Sequence, residues 1–471
     1  MTQGPTKRSA DNAPTNKPAR KLKRLSPDQM TQLEYRKKVE ACAASSNAVE
    51  ALKIFDEMTT QAIPVQPYLY QMILNICGAT TTDENIEEAA FRVFDHMKAS
   101  LVQTEKSTKK YPIDESSYSA LIKLCSKQLH TERALGLIAE LESHNVGPKL
   151  RTFAPLLVAF ASLKDLTQAW WVYEKLIEHN IEATEAEYVA LFEVCTAVRN
   201  EDMFYKVLNI FLEEILVPSR STWAVLKNWF LNEAQPWQCS VGVVDDTGIC
   251  SITGSKLESI ELRDDKAKAL LAKVENLVCD SDKRKEQWAS FKEWLEAHGP
   301  FDVVIDAANV GYFNQNFEGG GFNYKQIATV LQAYQKKGLK PLIVLHKNRT
   351  RDEQVPEHHR AMVQQWKDDG IMFNCLPGNN DDWYWLYAAV KLGGRTLVVS
   401  NDEMRDHHFQ MIHNKDFVRW KERHLVHYKV RGGQLLELSE PSVYSKRSQH
   451  LASSWHFPSP DNEEWLVIHR P

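Results

Sequence analysis

The sequence predicts a mixed chain: an α-solenoid of helix-pair repeats, a small β-rich central domain, and an α/β domain with a parallel sheet. Three observations carry this. Eight-residue helical patterns start 35 residues apart at Tyr118–Cys125, Phe153–Phe160 and Tyr188–Cys195. Two β-branched runs, Val303–Ile305 and Leu397–Val399, read as buried parallel strands with polar tips. Strand-like alternation appears on both sides of that α/β stretch, over 236–262 and again after about 424.

At 471 residues the chain is long enough for about three domains. A hydrophobic content of 43% supports real cores. The net charge of -5, with a pI near 6.4, excludes a generally basic coat, so nucleic-acid binding must use local patches. The eight cysteines are scattered without framework spacing, which points to a reducing compartment and to small core residues. No run of about 18 apolar residues occurs, so no membrane span is expected.

Residues 1–32 read as a disordered basic tail, because the first 26 contain one acid, Asp11, and no aromatic. KPARKLKR, residues 17–24, has the composition of a nuclear-localisation run or of a solvated tail that raises RNA affinity. The repeats follow over 33–235. Tyr70–Cys77 is a further copy, and each second helix pairs a small residue with a large one four later: Ala51 with Phe55, Ala90 with Phe94, Ala134 with Ile138, Ala169 with Tyr173. No single pair buries its apolar face alone, so the pairs must stack, and these aromatics belong to the core. Thr81–Asn85 and Gln103–Lys110 interrupt the period and read as loops. Segments 236–298 and 424–471 together are expected to form one split central domain around an α/β unit at 299–423.

Within that unit, acidic side chains stand at three points that a parallel sheet would bring together. Asp306 ends the strand FDVVID, Asp381 and Asp382 open the helical pattern of NNDDWYWLYAAV, and Asp402 follows the strand LVVS. Open α/β sheets bind ligands at the carboxyl ends of their strands, so the four converge on one crevice. Helix capping by Asp381 or Asp402 is the plainer alternative. Four carboxylates that close repel one another unless cations lie between them, and Mg²⁺ suits such an all-oxygen set. Asp406 sits four residues after Asp402, on the same face if that segment is helical. His346, Arg349 and Arg351 follow the strand LIVLH as phosphate contacts or as a solvated basic loop.

EALKIFDEM (50–58) and the 35-residue period resemble pentatricopeptide repeats, which implies an RNA partner. The period alone leaves protein binding open. GPFDVVIDAANVG, GGGFNY (319–324), NNDDWYWLYAAV and SNDEMRDHH are similar, motif by motif, to the protein-only RNase P family, with its NYN or PIN-like nuclease domain. The resemblance implies an endoribonuclease that removes the 5′ leader of precursor tRNA, needs no RNA subunit and acts as a monomer. It implies that Asp306, Asp381, Asp382 and Asp402 bind metal and catalyse, with Asp406 and His407 supporting, and that the cofactor is Mg²⁺ or Mn²⁺, two ions. Ala307 stands where the family has Gly. The family also carries a structural zinc on a C-x-x-C pair and a later His and Cys. Cys250 and His456 match the first and third ligands, but Thr253 and Val467 replace the other two, and Cys239 and His469 lack the family's positions. The expectation is therefore no zinc, with the sheet held by apolar packing of Val467, Trp455 and Trp465.

Two other classes remain in view. A non-catalytic repeat protein with a relic nuclease fold would be expected to lose a tip carboxylate, and none is lost. A phosphate-transferring enzyme with an Asp nucleophile would place a second acid two residues after Asp306, where Ala308 stands. The expected compartment is the nucleus, with mitochondrion or chloroplast left open.

Overall fold

The computed structural model describes residues 26–80, 84–104, 113–232, 237–279, 281–317, 320–376, 380–404 and 415–470. They fall into two compact units, within 1–207 and 208–471. The basic run 17–24 and most of both repeat interruptions lie outside the described residues.

The first unit is the helical repeat array. It begins earlier than the expected residue 33, with the helix Pro27–Ser45, because Ser26 and Gln29 form a reciprocal capping box around Pro27 at the first helical position. Helices Pro67–Ala79, Glu115–Lys127, Leu150–Ser162 and Glu185–Val198 pack one on the next, and the first three also pack on the helix that completes their pair. Tyr70, Tyr118, Phe153 and Tyr188 are buried, as are Ala51, Ala90, Ala134 and Ala169, so the pattern in the sequence is the core of the array. The backbone repeats too: Leu129, Lys164 and Arg199 adopt left-handed φ of 60°, 60° and 55°, and Asn145 and Asn180 share a φ of 55°. For the non-Asn residues this costs about 1 kcal/mol each, which stacking of the helices must offset. At Gly78 a Cβ would stand 2.7 Å from the Ala120 carbonyl oxygen, so glycine there sets how closely two neighbouring pairs approach.

The second unit holds two sheets. The strands are β1 (Gln238–Gly242), β2 (Val303–Asp306), β3 (Pro341–His346), β4 (Met372–Cys375) and β5 (Leu397–Val399). They continue with β6 (Leu425–Arg431), β7 (Gln434–Ser439), β8 (Gln449–Leu451), β9 (Ser454–Pro458) and β10 (Trp465–His469). One sheet has the order β4-β3-β2-β5-β6-β7, parallel except for the β6–β7 hairpin. The other is antiparallel, β1-β10-β9-β8, and joins the two ends of the unit.

Two expected boundaries move. The α/β sheet continues past 423 through β6 and β7, because β5 ends with a free parallel edge that β6 pairs. Helices Asp264–Val278 and Asp282–His298 bury Val274, Trp288 and Phe291 in the α/β core, with Trp288 4.9 Å from the Tyr387 ring and Phe291 4.7 Å from Phe373, and so belong there as well. The helix Arg220–Leu231 packs on the second unit's antiparallel sheet, with Phe230 5.3 Å from Trp237 and 6.2 Å from Trp455.

In the antiparallel sheet, Cys250 packs with Leu257, Tyr444, Trp465 and Val467 in one apolar cluster. Trp455 does not join it. Its register partner is Ile468, which places it on the opposite face, stacked 3.6 Å from His450. Cys239 also pairs with Ile468 and faces away from His456, whose cross-strand neighbour is Val467. Among the described residues no three His, Cys, Asp or Glu side chains form a group ready to hold an ion. Cys250 and His456 supply too few donors for a tetrahedral zinc, so the donor set does not fit that metal. The turn has hydrogen bonds of its own: the Gly254 N–H donates to the Cys250 carbonyl at 2.9 Å, and Ser255 N–H to Thr253 Oγ1 at 3.3 Å.

Candidate active site

The chain leaves β2 toward β3 on one side of the sheet and returns through β5 on the other, so β2 and β5 flank the point where strand order reverses. Crevices form at that point, at the carboxyl ends of the strands. Asp306 closes β2 and caps the helix Ala307–Tyr312, its Oδ1 accepting from Asn309 N–H at 3.0 Å. Ala307 opens that helix without positive φ, so the alanine is tolerated where the family has glycine. Asp381 and Asp382 are the first two residues of the helix Asp381–Leu392, whose N-cap is Asn380; Asp381 is thus not the cap. Asp402 follows β5 in irregular backbone, with Oδ1 accepting from Met404 N–H at 2.7 Å. The helical spacing expected of Asp402 and Asp406 is therefore not seen at Asp402, where Met404 turns left-handed at φ 53°. Asp406 and His407 lie outside the described residues.

The carboxylates act on one another electrostatically. Burial raises Asp306 well above the usual carboxylate range, and the charges of Asp382 and Asp381 add to it. Burial also pushes Asp382 up to about 6, with Asp381 and Asp402 contributing. Asp381 rises through burial, opposed in part by the nearby His346 ring at the end of β3. A helix N-terminus favours carboxylates by about 0.3–1 kcal/mol, whereas a rise from 3.8 to about 6 is worth about 3 kcal/mol at 1.36 per unit, so burial and mutual repulsion win. Burial and mutual repulsion among the carboxylates thus outweigh the favourable terms at Asp382.

Further side chains, none of them among the expected site residues, hold it in shape. Ser400, fully buried, donates to Asp306 Oδ2 at 2.8 Å and accepts from Asp402 N–H at 3.0 Å, joining the tips of β2 and β5. Asn309 Oδ1 accepts from Tyr428 Oη at 2.7 Å and from Asn401 N–H at 2.9 Å. Asn401 in turn exchanges two bonds with the Tyr428 backbone, at 2.8 and 3.0 Å. Trp385 Nε1 donates to Asp382 Oδ1 at 3.2 Å. Polar residues beside the acids were the available signal for Asn309, Ser400 and Asn401. Tyr428 had none, since its strand read as part of the other domain.

A hard divalent cation fits this donor set. Mg²⁺ is usually held by one or two carboxylates plus waters and substrate phosphates, so it requires no preformed cage of three ligands.

Helical repeats and an α/β sheet with carboxylates at its switch point define a repeat protein that carries an α/β domain. Residues 21–236 match a family model described as the pentacotripeptide-repeat region of PRORP, and residues 244–466 match one described as protein-only RNase P. The chain belongs to the protein-only RNase P family, whose members are endoribonucleases. It is 29% identical to proteinaceous RNase P 1, chloroplastic/mitochondrial, of Arabidopsis thaliana, over 97% of this chain and 86% of that one. It is likewise 29% identical to proteinaceous RNase P 2 of the same plant, over 96% and 94%. The crystal structure of the nuclear proteinaceous RNase P 2 from A. thaliana superposes with a TM-score of 0.79 at 28% identity, covering 94% of this chain and all of the other. Among the described residues no helix is long and apolar enough to cross a membrane.

Proposed function

We propose that this chain removes the 5′ leader of precursor tRNA by metal-dependent hydrolysis, as a monomer and without an RNA subunit. The convergence of Asp306, Asp381, Asp382 and Asp402 at the switch point of the sheet carries the reading. These four would hold two Mg²⁺ or Mn²⁺ ions, which when bound supply the positive charge that stabilises the phosphorane-like transition state and sharpens the attacking water. The chain's own residues set the geometry. Ser400 and Asn309 fix both oxygens of Asp306, and Trp385 fixes one oxygen of Asp382. Asp406 and His407 are proposed to support them. Water attacks phosphorus, the bond to the leader's 3′ oxygen breaks, and that oxygen leaves as a hydroxyl while the tRNA keeps a 5′ phosphate. The ribose 2′-OH takes no part.

Residues of the array would grip the folded part of the tRNA and place the junction at the crevice. A purely RNA-binding role is disfavoured because every tip carboxylate is retained and buried enough to be perturbed or is hydrogen-bonded in place. No structural zinc is proposed. The basic run 17–24 supports nuclear import, which a fluorescent fusion with that run neutralised would test.

The deciding experiment incubates purified protein with a 5′-extended tRNA in Mg²⁺ and maps the cut and its ends. Cleavage at the mature 5′ end, stopped by chelator and by Asp381→Ala, is expected. Full activity in excess chelator, or a cyclic phosphate on the leader, overturns the reading.

A further inference from the structure

A wide groove of about 1290 Å³ is lined by the chain at the end of β3 and beyond it, and by Asp381. It is lined by Lys347, Arg349, Arg351 and Lys367, with Tyr312 on its wall. Among the described residues none of these four cations has an acidic partner at ion-pair distance. Asp352 and Glu353 also line the groove, so cations outnumber the acids other than Asp381 by four to two.

The lining is built, not incidental. Lys367 Nζ donates to the Thr350 carbonyl at 3.0 Å, and Tyr324 Oη donates to the Arg349 carbonyl at 2.6 Å, so the short helical turn Lys347–Thr350 is pinned from both sides. The Arg349 guanidinium lies over the rings of Tyr312 and Phe322, 5.0 and 5.5 Å from their centroids. Those contacts orient the cation without neutralising it. Tyr312 remains 45% exposed, unusually open for an aromatic side chain beside a buried core.

Uncompensated cations with an exposed aromatic, in a groove, are the combination that binds single-stranded nucleic acid, through phosphates and one stacked base. Asp381 is part of the groove's lining, so in this reading the groove adjoins the reacting phosphate. On one side of that phosphate a precursor tRNA is a base-paired stem, recognised by its shape and backbone; on the other it is single-stranded. We propose that this groove holds the first nucleotides of the 5′ leader, with phosphates against Lys347 and Arg351 and a base on Tyr312. The inference rests on the reading of the chain as a leader-removing nuclease.

The test compares two precursors that differ only in leader length, one nucleotide against several, by binding titration and by KM. The wild type is expected to bind the longer leader more tightly. In the double variant Lys347→Gln, Arg351→Gln that gain should vanish, and the slope of log K against log salt for the longer leader should become shallower by about 0.7 per lost phosphate contact. Tyr312→Ala should weaken the longer leader by about fivefold or more. Unaltered circular dichroism and melting temperature establish that the variants are folded. An equal loss on both precursors overturns the inference. A wild type that cuts at the junction but ignores leader length overturns it alone. A wild type that cuts no precursor overturns the functional reading as well.

Discussion

Asp382→Asn offers a measurement of the charge imbalance in the crevice that does not depend on catalysis. In the folded, metal-free protein Asp382 titrates near 6, raised by burial and by Asp381 and Asp402. The folded pKa exceeds the unfolded one, so this carboxyl contributes stability below about pH 4 and loses it as pH climbs through 6. At neutral pH its ionisation costs up to about 3 kcal/mol by the 1.36 per unit conversion, and solvent at the rim of the crevice reduces this to about 1–3. The asparagine side chain keeps an oxygen for the Trp385 donor and removes the charge. The variant should therefore melt higher than wild type in chelator at neutral pH, by about 2–4 °C per kcal/mol gained for a unit of this size. The difference should shrink as pH falls toward 4.5. Saturating Mg²⁺ should reverse the order, because the ion stabilises only the protein that retains its ligand. The assay is thermal unfolding followed by circular dichroism across pH, with and without the ion. A variant that melts lower than wild type in chelator at every pH would refute the argument that these carboxylates repel one another.

Removing the Tyr428 hydroxyl with Tyr428→Phe deletes the bond to Asn309 and should lower kcat with little change in KM, while Asn309→Ala should mimic it; a change confined to KM would show that the network does not position the acids. Elemental analysis should find no stoichiometric zinc in the native chain, whereas the double variant Thr253→Cys, Val467→Cys should acquire it, since His456 Nδ1 is buried without a hydrogen-bond partner on the face shared with Val467. Zinc in the native chain would reveal a ligand set that the described residues lack. A fragment beginning at residue 208 should be soluble and lose most tRNA affinity, while one beginning at 236 should aggregate, because the Phe230 helix would no longer cover Trp237 and Trp455; equal solubility would overturn that assignment. Gly78→Ala should destabilise the array by about 1–3 kcal/mol, read in its melting, because the new methyl meets backbone and not a movable side chain.

Local signals were legible in the sequence wherever one element decides the outcome. The period of Tyr118, Phe153 and Tyr188 specifies a helix face, and the run ending in Asp306 specifies a strand and its tip. The capping box at Ser26 was equally local, yet it fell beneath a composition that read as tail. What sequence withheld depends on pairing. Nothing in Leu425–Arg431 says that it will join β5 instead of the distant β10, because any apolar strand suits either edge. Tyr428, and with it the bond to Asn309, was lost to view for that reason. Trp455 illustrates the same point at finer scale: one step of register sends it to the face opposite Val467.

The pairing of β1 with β10 sets the order in which the second unit can be completed. Gln238 meets His469, so β1 and β10 pair across more than two hundred intervening residues. The entropic cost of closure grows only with the logarithm of loop length, so it is modest once the insert has collapsed and severe before then. On the ribosome, β1 emerges long before its partner and remains an unpaired edge while the whole α/β insert is synthesised and folds. The antiparallel sheet is therefore a late step in biogenesis, and its completion follows the folding of the α/β insert. Mutations in Trp465–His469 would then leave a chain whose crevice is intact but whose exposed β1 edge invites aggregation and degradation. Their effect would be seen in the amount of enzyme in the cell more than in the turnover of each molecule.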